Sequence, residues 1–213
     1  RWGQGKNDDD GCSPSFNYLC PENKRENNSC DHMLAGCGAV AMAQIMYKWA
    51  YPNVSKYGSY DWNKIPPVLT DGCSLDCPRL IRDCGESCNM HYQSVIGIEF
   101  PFITGSWAVI SRISDGFADF GYSAHVVDLD DWRNGSAWAD LIRSEIDCGR
   151  PVLMYGKHNV VEISEKHYFV IDGYSSEDEN KFHVNWGWRG SKNGYYDLDF
   201  KEYSILINSL IKI

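Results

Sequence analysis

Hydrophobic residues recur at helical spacing directly after Cys37. The apolar positions of residues 37–50 are Val40, Ala41, Ile45, Met46 and Trp49. Side chains three and four positions apart share one face of a helix, so the pattern predicts a helix with a buried face. The pattern stops at Tyr51 and Pro52, and proline disfavours helical backbone in the residue before it. We therefore expect a largely buried helix that begins at Cys37.

The same spacing, together with helix stop signals, predicts three further helices. The first covers residues 79–84 and is closed by Gly85, and the second covers residues 106–117. The third begins after Ser136, whose hydroxyl can cap the first N–H groups, and ends near Gly149. The residues expected on its inward face are Trp138, Leu141, Ile142 and Ile146.

After the last predicted helix the pattern changes to short strands. Five β-prone runs occupy residues 152–155, 167–174, 181–186, 195–198 and 204–211. Gly, Ser, Asn and Asp separate them, as is typical of turns between strands. Helices first and strands last predict an α+β fold rather than alternating parallel units.

Length and charge narrow the class of protein. A chain of 213 residues with 43% hydrophobic content can bury one substantial core, so we expect a single domain. The net charge of −9 argues against nucleic-acid binding, because phosphate backbones select for clustered cations. No apolar run reaches the roughly 18 residues of a membrane span, which predicts a soluble protein.

The nine cysteines predict an oxidising compartment. Eight of them can pair in disulfides and leave one thiol, and such density is typical of secreted chains. Four of them form the cluster Cys73, Cys77, Cys84 and Cys88. A zinc site is the alternative for this cluster, but its spacing is wider than common zinc motifs, so disulfides are favoured. The chain starts at Arg1 without a leader, which suggests a mature secreted domain.

Cys37 is the candidate nucleophile. A helix amino terminus presents partial positive charge and lowers the pKa of a thiol there, which favours the reactive thiolate. Gly36 and Gly38 flank Cys37 and lack β-carbons, so a substrate backbone could approach the sulfur. The alternative is that Cys37 is half of a disulfide.

His167 is the candidate base. It starts the most apolar strand, whose Val170 and Ile171 would anchor it in the core. A core histidine bonded to the backbone is the alternative, and His183 is the nearest rival. Strand alternation would place His183 on the face of Asn185 and opposite Trp186. The 130 positions between Cys37 and His167 fall within the range typical of papain-type proteases.

Three motifs in order along the chain carry a family resemblance. They are AGCGAVAMAQIM at residues 35–46, HYFVIDG at residues 167–173 and HVNWGW at residues 183–188. Together with WGQ at residues 2–4, they resemble the streptopain family of bacterial secreted cysteine endopeptidases. The resemblance spans nearly the whole chain.

The resemblance implies a role for each matching residue. Cys37 would attack the scissile carbonyl, and His167 would take its proton and then protonate the leaving amine. Gln4 and the backbone N–H of Cys37 would form the oxyanion hole. Asn185 and Trp186 would lie behind the imidazole and fix its orientation.

The resemblance also implies a papain-like fold in one peptidase domain, residues 1–213. A helical lobe would cover about residues 1–135 and an antiparallel β lobe about residues 136–213, with the cleft between Cys37 and His167. The protein would be a monomer that needs no cofactor, hydrolyses proteins or peptides, and is inhibited by a propeptide in its zymogen.

Some positions depart from the family pattern or leave other functions open. Lys166 stands where the family usually has glycine before the catalytic histidine, and we expect it in the substrate cleft with Gly36 and Trp188. The family's glycine-rich loop near the carboxyl end is missing, and the cysteine cluster is unusual. Two alternative functions are a cell-wall amidase or other thiol acyl-transfer enzyme, and an inactive disulfide-rich binding domain.

Overall fold

Four α-helices and eight β-strands make up the computed structural model, which describes residues 1–23, 30–92, 105–128, 135–157, 166–197 and 206–212. The helices are α1 (Cys37–Trp49), α2 (Asp76–Ser87), α3 (Ile110–Asp119) and α4 (Gly135–Asp147). The strands are β1 (Val54–Ser55), β2 (Gly58–Ser59), β3 (Ser123–Asp128), β4 (Val152–Lys157), β5 (Lys166–Tyr174), β6 (Lys181–Asn185), β7 (Gly194–Asp197) and β8 (Leu206–Lys212). The expected α+β fold is confirmed.

Six of the strands form one antiparallel sheet with β5 near its middle. The strand order is β3-β8-β4-β5-β6-β7. His167 of β5 pairs with Gly156 of β4, and Val170 pairs with Asn185 of β6. Strand β5 pairs with β4 along residues 166–171 and with β6 from Val170 onwards, so the strand that carries His167 is held on both edges.

Alternate side chains of β5 enter two different cores. Tyr168 and Val170 belong to the core built with α1, α2 and α3. Phe169 and Ile171 belong to a second core, which also contains Trp138 of α4 and Trp186. Successive side chains of a strand point to opposite faces, so the sheet separates the two cores.

Helix α1 matches its prediction closely. It begins at Cys37, and the predicted apolar positions Val40, Ala41, Ile45 and Met46 are buried. Ala50 follows in left-handed backbone, and its N–H donates to the last-turn carbonyls of Met46 and Tyr47. This helix end is set by the backbone at Ala50, next to the stop signal read from Tyr51 and Pro52.

The limits of two other helices differ from the prediction. Gly85 lies inside α2 and does not end the helix. Its missing side chain leaves room for the hydroxyl of Tyr92. Helix α3 begins at Ile110 instead of Ser106, since Trp107 forms an isolated β-bridge with His91. Helix α4 buries Trp138 and Ile142, with Leu141 and Ile146 partly buried beside them, as expected.

Three strands were not predicted, the short pair β1 and β2 and the longer β3. Strand β3 lies in the segment expected to be helical, and it pairs with β8 at the edge of the main sheet. The predicted strand at residues 204–211 corresponds to β8. A boundary near residue 135 therefore does not separate helices from strands, although the helices α1 to α3 all precede it.

The expectation of eight paired cysteines is wrong. All nine cysteines are described, and one disulfide joins Cys12 to Cys30. Cys77 and Cys84 are thiols on the buried face of α2, Cys88 is the buried residue that follows the helix, and all three pack as small hydrophobic residues. Their positions direct them into the first core. The described residues contain no group of three or more His, Cys, Asp or Glu suited to a metal, so the zinc alternative finds no site there.

In the part of the chain that the structure describes, no helix combines the length and the apolar character needed to cross a membrane.

Burial predicts which thiols can react. It raises the pKa of Cys20 and Cys88 to about 12 and raises that of Cys77 and Cys84 as well. A thiol with a raised pKa stays protonated near neutral pH, and the thiolate is the reactive form. At about pH 8, we expect iodoacetamide to label Cys37, Cys73 and Cys148 in the native protein and the four buried thiols only after unfolding.

Peptide mapping without reductant checks this prediction. Cys12 and Cys30 are the internal control, since they should gain label only after reduction. Failure of the α2 thiols to label in the unfolded, unreduced chain would mean that they are crosslinked.

Candidate active site

Cys37 is the first residue of α1. It is half-buried, and the preceding Gly36 has a φ of 86°, a left-handed conformation that favours glycine. The first N–H groups of a helix have no acceptor within it, and their partial positive charge favours a thiolate at this position. Cys37 is not part of a disulfide. The structure therefore meets the main requirement of the predicted nucleophile.

The two glycines beside Cys37 have a different role from the one predicted. A β-carbon on Gly36 would lie 2.6 Å from Sδ of Met90, and one on Gly38 would lie 2.7 Å from Cδ1 of Ile113. These directions are filled by the protein core rather than open to a ligand. The missing β-carbons of both glycines therefore let the first turn of α1 pack closely, and the place of Gly36 in the substrate cleft stays a prediction.

His167 is buried and oriented by the backbone. The residue is only 6% exposed, and its Nε2 lies 2.7 Å from the carbonyl oxygen of Trp186. A carbonyl oxygen can only accept, so Nε2 must carry the proton and donate it. In the neutral ring, Nδ1 is then the basic nitrogen.

Helix α1 and strand β5 meet at their first residues. A β-carbon added to Gly38 would lie 3.4 Å from the ring of Tyr168, the neighbour of His167. One added to Gly187 would lie 3.2 Å from Cγ1 of Val40, in the first turn of α1. The first turn of α1 therefore lies against the start of β5 and against the turn that follows β6.

The charge of Cys37 influences two neighbouring tyrosines, Tyr155 and Tyr168. Tyr155 and Tyr168 stack with ring centroids 4.4 Å apart. Burial is the main cause of the raised pKa of each phenol, and the charge of Cys37 contributes to both. Since Tyr168 follows His167 directly, this electrostatic contact agrees with a sulfur close to the start of β5.

Two tryptophans stand beside the imidazole. The ring centroid of Trp188 is 5.0 Å from that of His167, and the ring of Trp186 is 6.2 Å away. The two indoles stack on each other at 5.4 Å. Trp186 is buried and Trp188 half-buried, so together they form an apolar wall on one side of the ring.

Asn185 acts on the turn after β6. Its Oδ1 accepts hydrogen bonds from Nε2 of Gln44 and from the backbone N–H of Gly187, each at 3.2 Å. The hydrogen bond that orients His167 goes instead to the carbonyl of Trp186. The side chain of Asn185 thus holds the turn whose Trp186 carbonyl bonds to His167, and the supporting role of Asn185 and Trp186 in catalysis stays a prediction.

Sequence reasoning missed two residues of the same loop, Asn193 and Arg189. Oδ1 of Asn193 accepts from the backbone N–H of Trp186 at 3.1 Å. The backbone N–H of Arg189 donates to the carbonyl of Trp2 at 2.9 Å. An available signal for Asn193 was the Asn-Gly dipeptide at residues 193–194, a turn marker, whereas Arg189 gave none.

Gln4 lies beside the loop that precedes Cys37. Its carbonyl accepts from the N–H of Ala35 at 3.0 Å, which ties the two segments together. Gln4 and Trp188 line one cleft of about 460 Å³. The structure thus brings Gln4 to the side of the site where Trp188 contacts His167.

Lys166 is the first residue of β5 and pairs with Lys157 of β4. Its side chain lies outside the part of the molecule that is described, so its predicted place in the cleft stays a prediction.

Comparison with known proteins identifies the family. Residues 11–196 match the model of the Peptidase C10 family. The chain belongs to this family. The expected membership in the streptopain group is therefore confirmed.

Curated relatives of this C10 chain include two bacterial proteases. The thiol protease/hemagglutinin PrtT of Porphyromonas gingivalis is 30% identical over 77% of this chain and 20% of its own length. Streptopain of Streptococcus pyogenes is 29% identical over 79% of this chain and 46% of its own length. The chain thus spans less than half of the length of these relatives.

Solved structures agree on the fold. A prointerpain A fragment from Prevotella intermedia matches with a TM-score of 0.74 and 23% identity, over 100% of this chain and 70% of that one. Active wild-type interpain A, a cysteine protease of the same organism, matches with a TM-score of 0.72 and 24% identity, over 99% of this chain and 92% of that one. The predicted papain-like fold is confirmed.

The bond from His167 to Trp186 predicts a ring tautomer. When the ring is neutral, two-bond ¹H–¹⁵N spectra of His167 should show the proton on Nε2. Asn193→Ala removes an acceptor from the Trp186 N–H and should lower the free energy of unfolding by about 1 kcal/mol. It should also weaken the Nε2–H signal, because the turn that presents the carbonyl is loosened.

Asn193→Asp is the matched control, since it keeps an oxygen at the same place and should preserve the wild-type spectrum. A neutral wild-type ring with its single proton on Nδ1 would contradict the assigned hydrogen bond.

Proposed function

We propose that the chain is a cysteine endopeptidase in which Cys37 is the nucleophile and His167 the base. The observation that carries the proposal is the hydrogen bond from Nε2 of His167 to the carbonyl of Trp186. It makes Nδ1 the basic nitrogen, on a strand that packs against the helix begun by Cys37. Membership in the Peptidase C10 family supports the same reading.

In the proposed acylation step, Nδ1 of His167 takes the proton of the Cys37 thiol. The thiolate attacks the scissile carbonyl and forms a tetrahedral oxyanion. The C–N bond then breaks, the amine leaves with the proton from Nδ1–H, and a thioester remains on Cys37. In deacylation, Nδ1 takes a proton from water, the hydroxide attacks the thioester, and the sulfur leaves as thiolate and is reprotonated by the ring.

The oxyanion would be stabilised by two donors, the side-chain amide of Gln4 and the backbone N–H of Cys37. The main-chain hydrogen bond from Ala35 to Gln4 supports this pairing, because Ala35 lies two residues before Cys37. Donors fixed before the reaction need no rearrangement as the negative charge develops. Gln4 has this role by resemblance and by its place in the cleft.

The indole wall would keep water from the Nε2 side of the ring. Nε2–H stays bonded to the Trp186 carbonyl whether the ring is neutral or protonated, since both forms carry a proton there. The ring therefore does not need to turn when it gains or loses a proton at Nδ1. This favours rapid transfer between sulfur, leaving amine and water.

We also propose that the enzyme acts on proteins outside the cell as a monomer and is held inactive by a propeptide. The disulfide between Cys12 and Cys30 supports an oxidising compartment. The match to a prointerpain A fragment supports the propeptide. The substrates would be proteins or peptides.

Replacement of the nucleophile tests the proposal. Cys37→Ala should abolish hydrolysis of casein, because no other group can form the thioester, while circular dichroism and the unfolding transition stay unchanged. Cys37→Ser, which replaces the thiol with a less acidic hydroxyl, should retain almost no activity. Casein hydrolysis that survives in Cys37→Ala would refute the assignment.

The rival functions are separated by substrate. Purified muropeptides should not be cleaved, and muropeptide cleavage with intact casein would indicate the cell-wall amidase instead. An absence of both activities in a wild-type protein whose Cys37 is alkylated normally would indicate the binding domain.

The oxyanion hole has its own test. Gln4→Ala should lower kcat by about 10²–10³, equivalent to about 2.7–4 kcal/mol of barrier, since one donor to the developing charge is lost. The rate of Cys37 alkylation by iodoacetamide should stay near the wild-type value, because that reaction forms no oxyanion. Equal kcat values for Gln4→Ala and wild type would remove Gln4 from the mechanism.

A further inference from the structure

The cleft that contains Gln4 and Trp188 is positively charged. Among the described residues of its lining, those with charged side chains are Lys6 and Arg189, both cations. The whole chain carries a formal net charge of −9. The cleft thus differs in sign from the molecule around it, and a local field of this kind selects for ligands of opposite charge.

The position of the cleft indicates which part of a substrate it receives. His167 gives its proton to the leaving amine, so the segment after the scissile bond must lie on the imidazole side. The ring centroid of Trp188 lies 5.0 Å from that of the imidazole, and Trp188 also lines the cleft. A cleft lined by Gln4 and by Trp188, which lies beside the imidazole, is therefore placed to receive the leaving segment.

Arg189 is fixed in place by several contacts. Its Nη1 donates to the carbonyl of Asn7 at 2.7 Å and to the carboxylate of Asp10 at 2.6 Å. Its stem lies against Gly3, where an added β-carbon would be 2.7 Å from Cγ of Arg189. A guanidinium held in this way loses little conformational freedom when it binds an anion.

Asp10 offsets only part of the charge. Its side chain is 71% exposed, and surface ion pairs of this kind are weakened by solvent. The hydrogen bond from Arg189 lowers the pKa of Asp10, so the carboxylate is ionised at neutral pH. With Lys6 counted, the three side chains still sum to one positive charge. The two bonds of Arg189 engage Nη1, while three of its five N–H donors belong to Nε and Nη2.

We propose that Lys6 and Arg189 make this protein prefer substrates with Asp or Glu in the first positions after the scissile bond. The preference rests on the proposed hydrolase function and adds the chemical class of the leaving segment to it. Carboxylates suit the guanidinium fork, and the ammonium of Lys6 adds a second cation nearby.

A peptide series tests the preference. A casein peptide that the protein cleaves is resynthesised as an internally quenched substrate with Glu, Gln or Lys directly after the mapped scissile bond. We expect kcat/KM to fall in the order Glu, Gln, Lys, with roughly a three- to ten-fold span between Glu and Lys. The span should shrink at about 0.5 M NaCl, because salt screens partly exposed charges.

Charge variants locate the effect. Lys6→Gln and Arg189→Gln should each reduce the Glu-to-Lys ratio, and the double variant should bring it close to one. Lys48→Gln is the matched control, since Lys48 lines a different cavity, with Gln44 and Tyr47 of the same helix, and the ratio should stay at the wild-type value. The ratio is the readout because Arg189 also holds the backbone at Asn7, and any general loss of activity affects all peptides equally.

The outcomes separate the two proposals. Cleavage of all three wild-type peptides at equal rates, or a ratio unchanged by salt and by Lys6→Gln, overturns the preference and leaves the hydrolase standing. A ratio lost equally in Lys48→Gln overturns it as well. Failure to cleave casein at all, so that no scissile bond can be mapped, overturns the hydrolase and the preference together. Lys6→Gln decides the matter by itself if Arg189→Gln does not fold.

Discussion

The hydrogen bond between His167 and the backbone of Trp186 is the constraint on which the site depends. It fixes the tautomer and the plane of the ring with a group that cannot change its protonation state. A carbonyl can do this only if its peptide unit is held still. The loop from residue 186 to residue 193 provides that rigidity, with Asn185 bracing Gly187 and Asn193 bracing Trp186. Both asparagines therefore influence the imidazole through backbone atoms.

The same loop ties the imidazole side of the site to the amino-terminal segment. Arg189 bonds to Trp2 through its backbone and to Asn7 through its guanidinium. Gln4 lies between those two residues in sequence and is itself bonded to Ala35. One short loop thus sets the relative position of the base, the candidate oxyanion donor and the segment before the sulfur.

Much of this arrangement could be predicted from the sequence where the signals are local. The helix after Cys37 and the strand after His167 are long, strongly patterned runs, and both were placed correctly. Strand β3 was missed because it gains its strand character by pairing with β8, about 80 residues later. The cysteines were misread because pairing depends on distances in the fold, and α2 directs Cys77 and Cys84 into the core. Asn193 and Arg189 act on backbone groups, and of the two only Asn193 left a local signal, the Asn-Gly dipeptide at residues 193–194.

Strand β5 sends neighbouring residues into different cores, and this has a consequence for how the family can vary. The sulfur's helix rests on the first core through Tyr168 and Val170, whereas His167 shares its face with Phe169 and the tryptophans of the second. Substitutions in one core can therefore change the surroundings of Cys37 or of His167 separately, by small repacking steps.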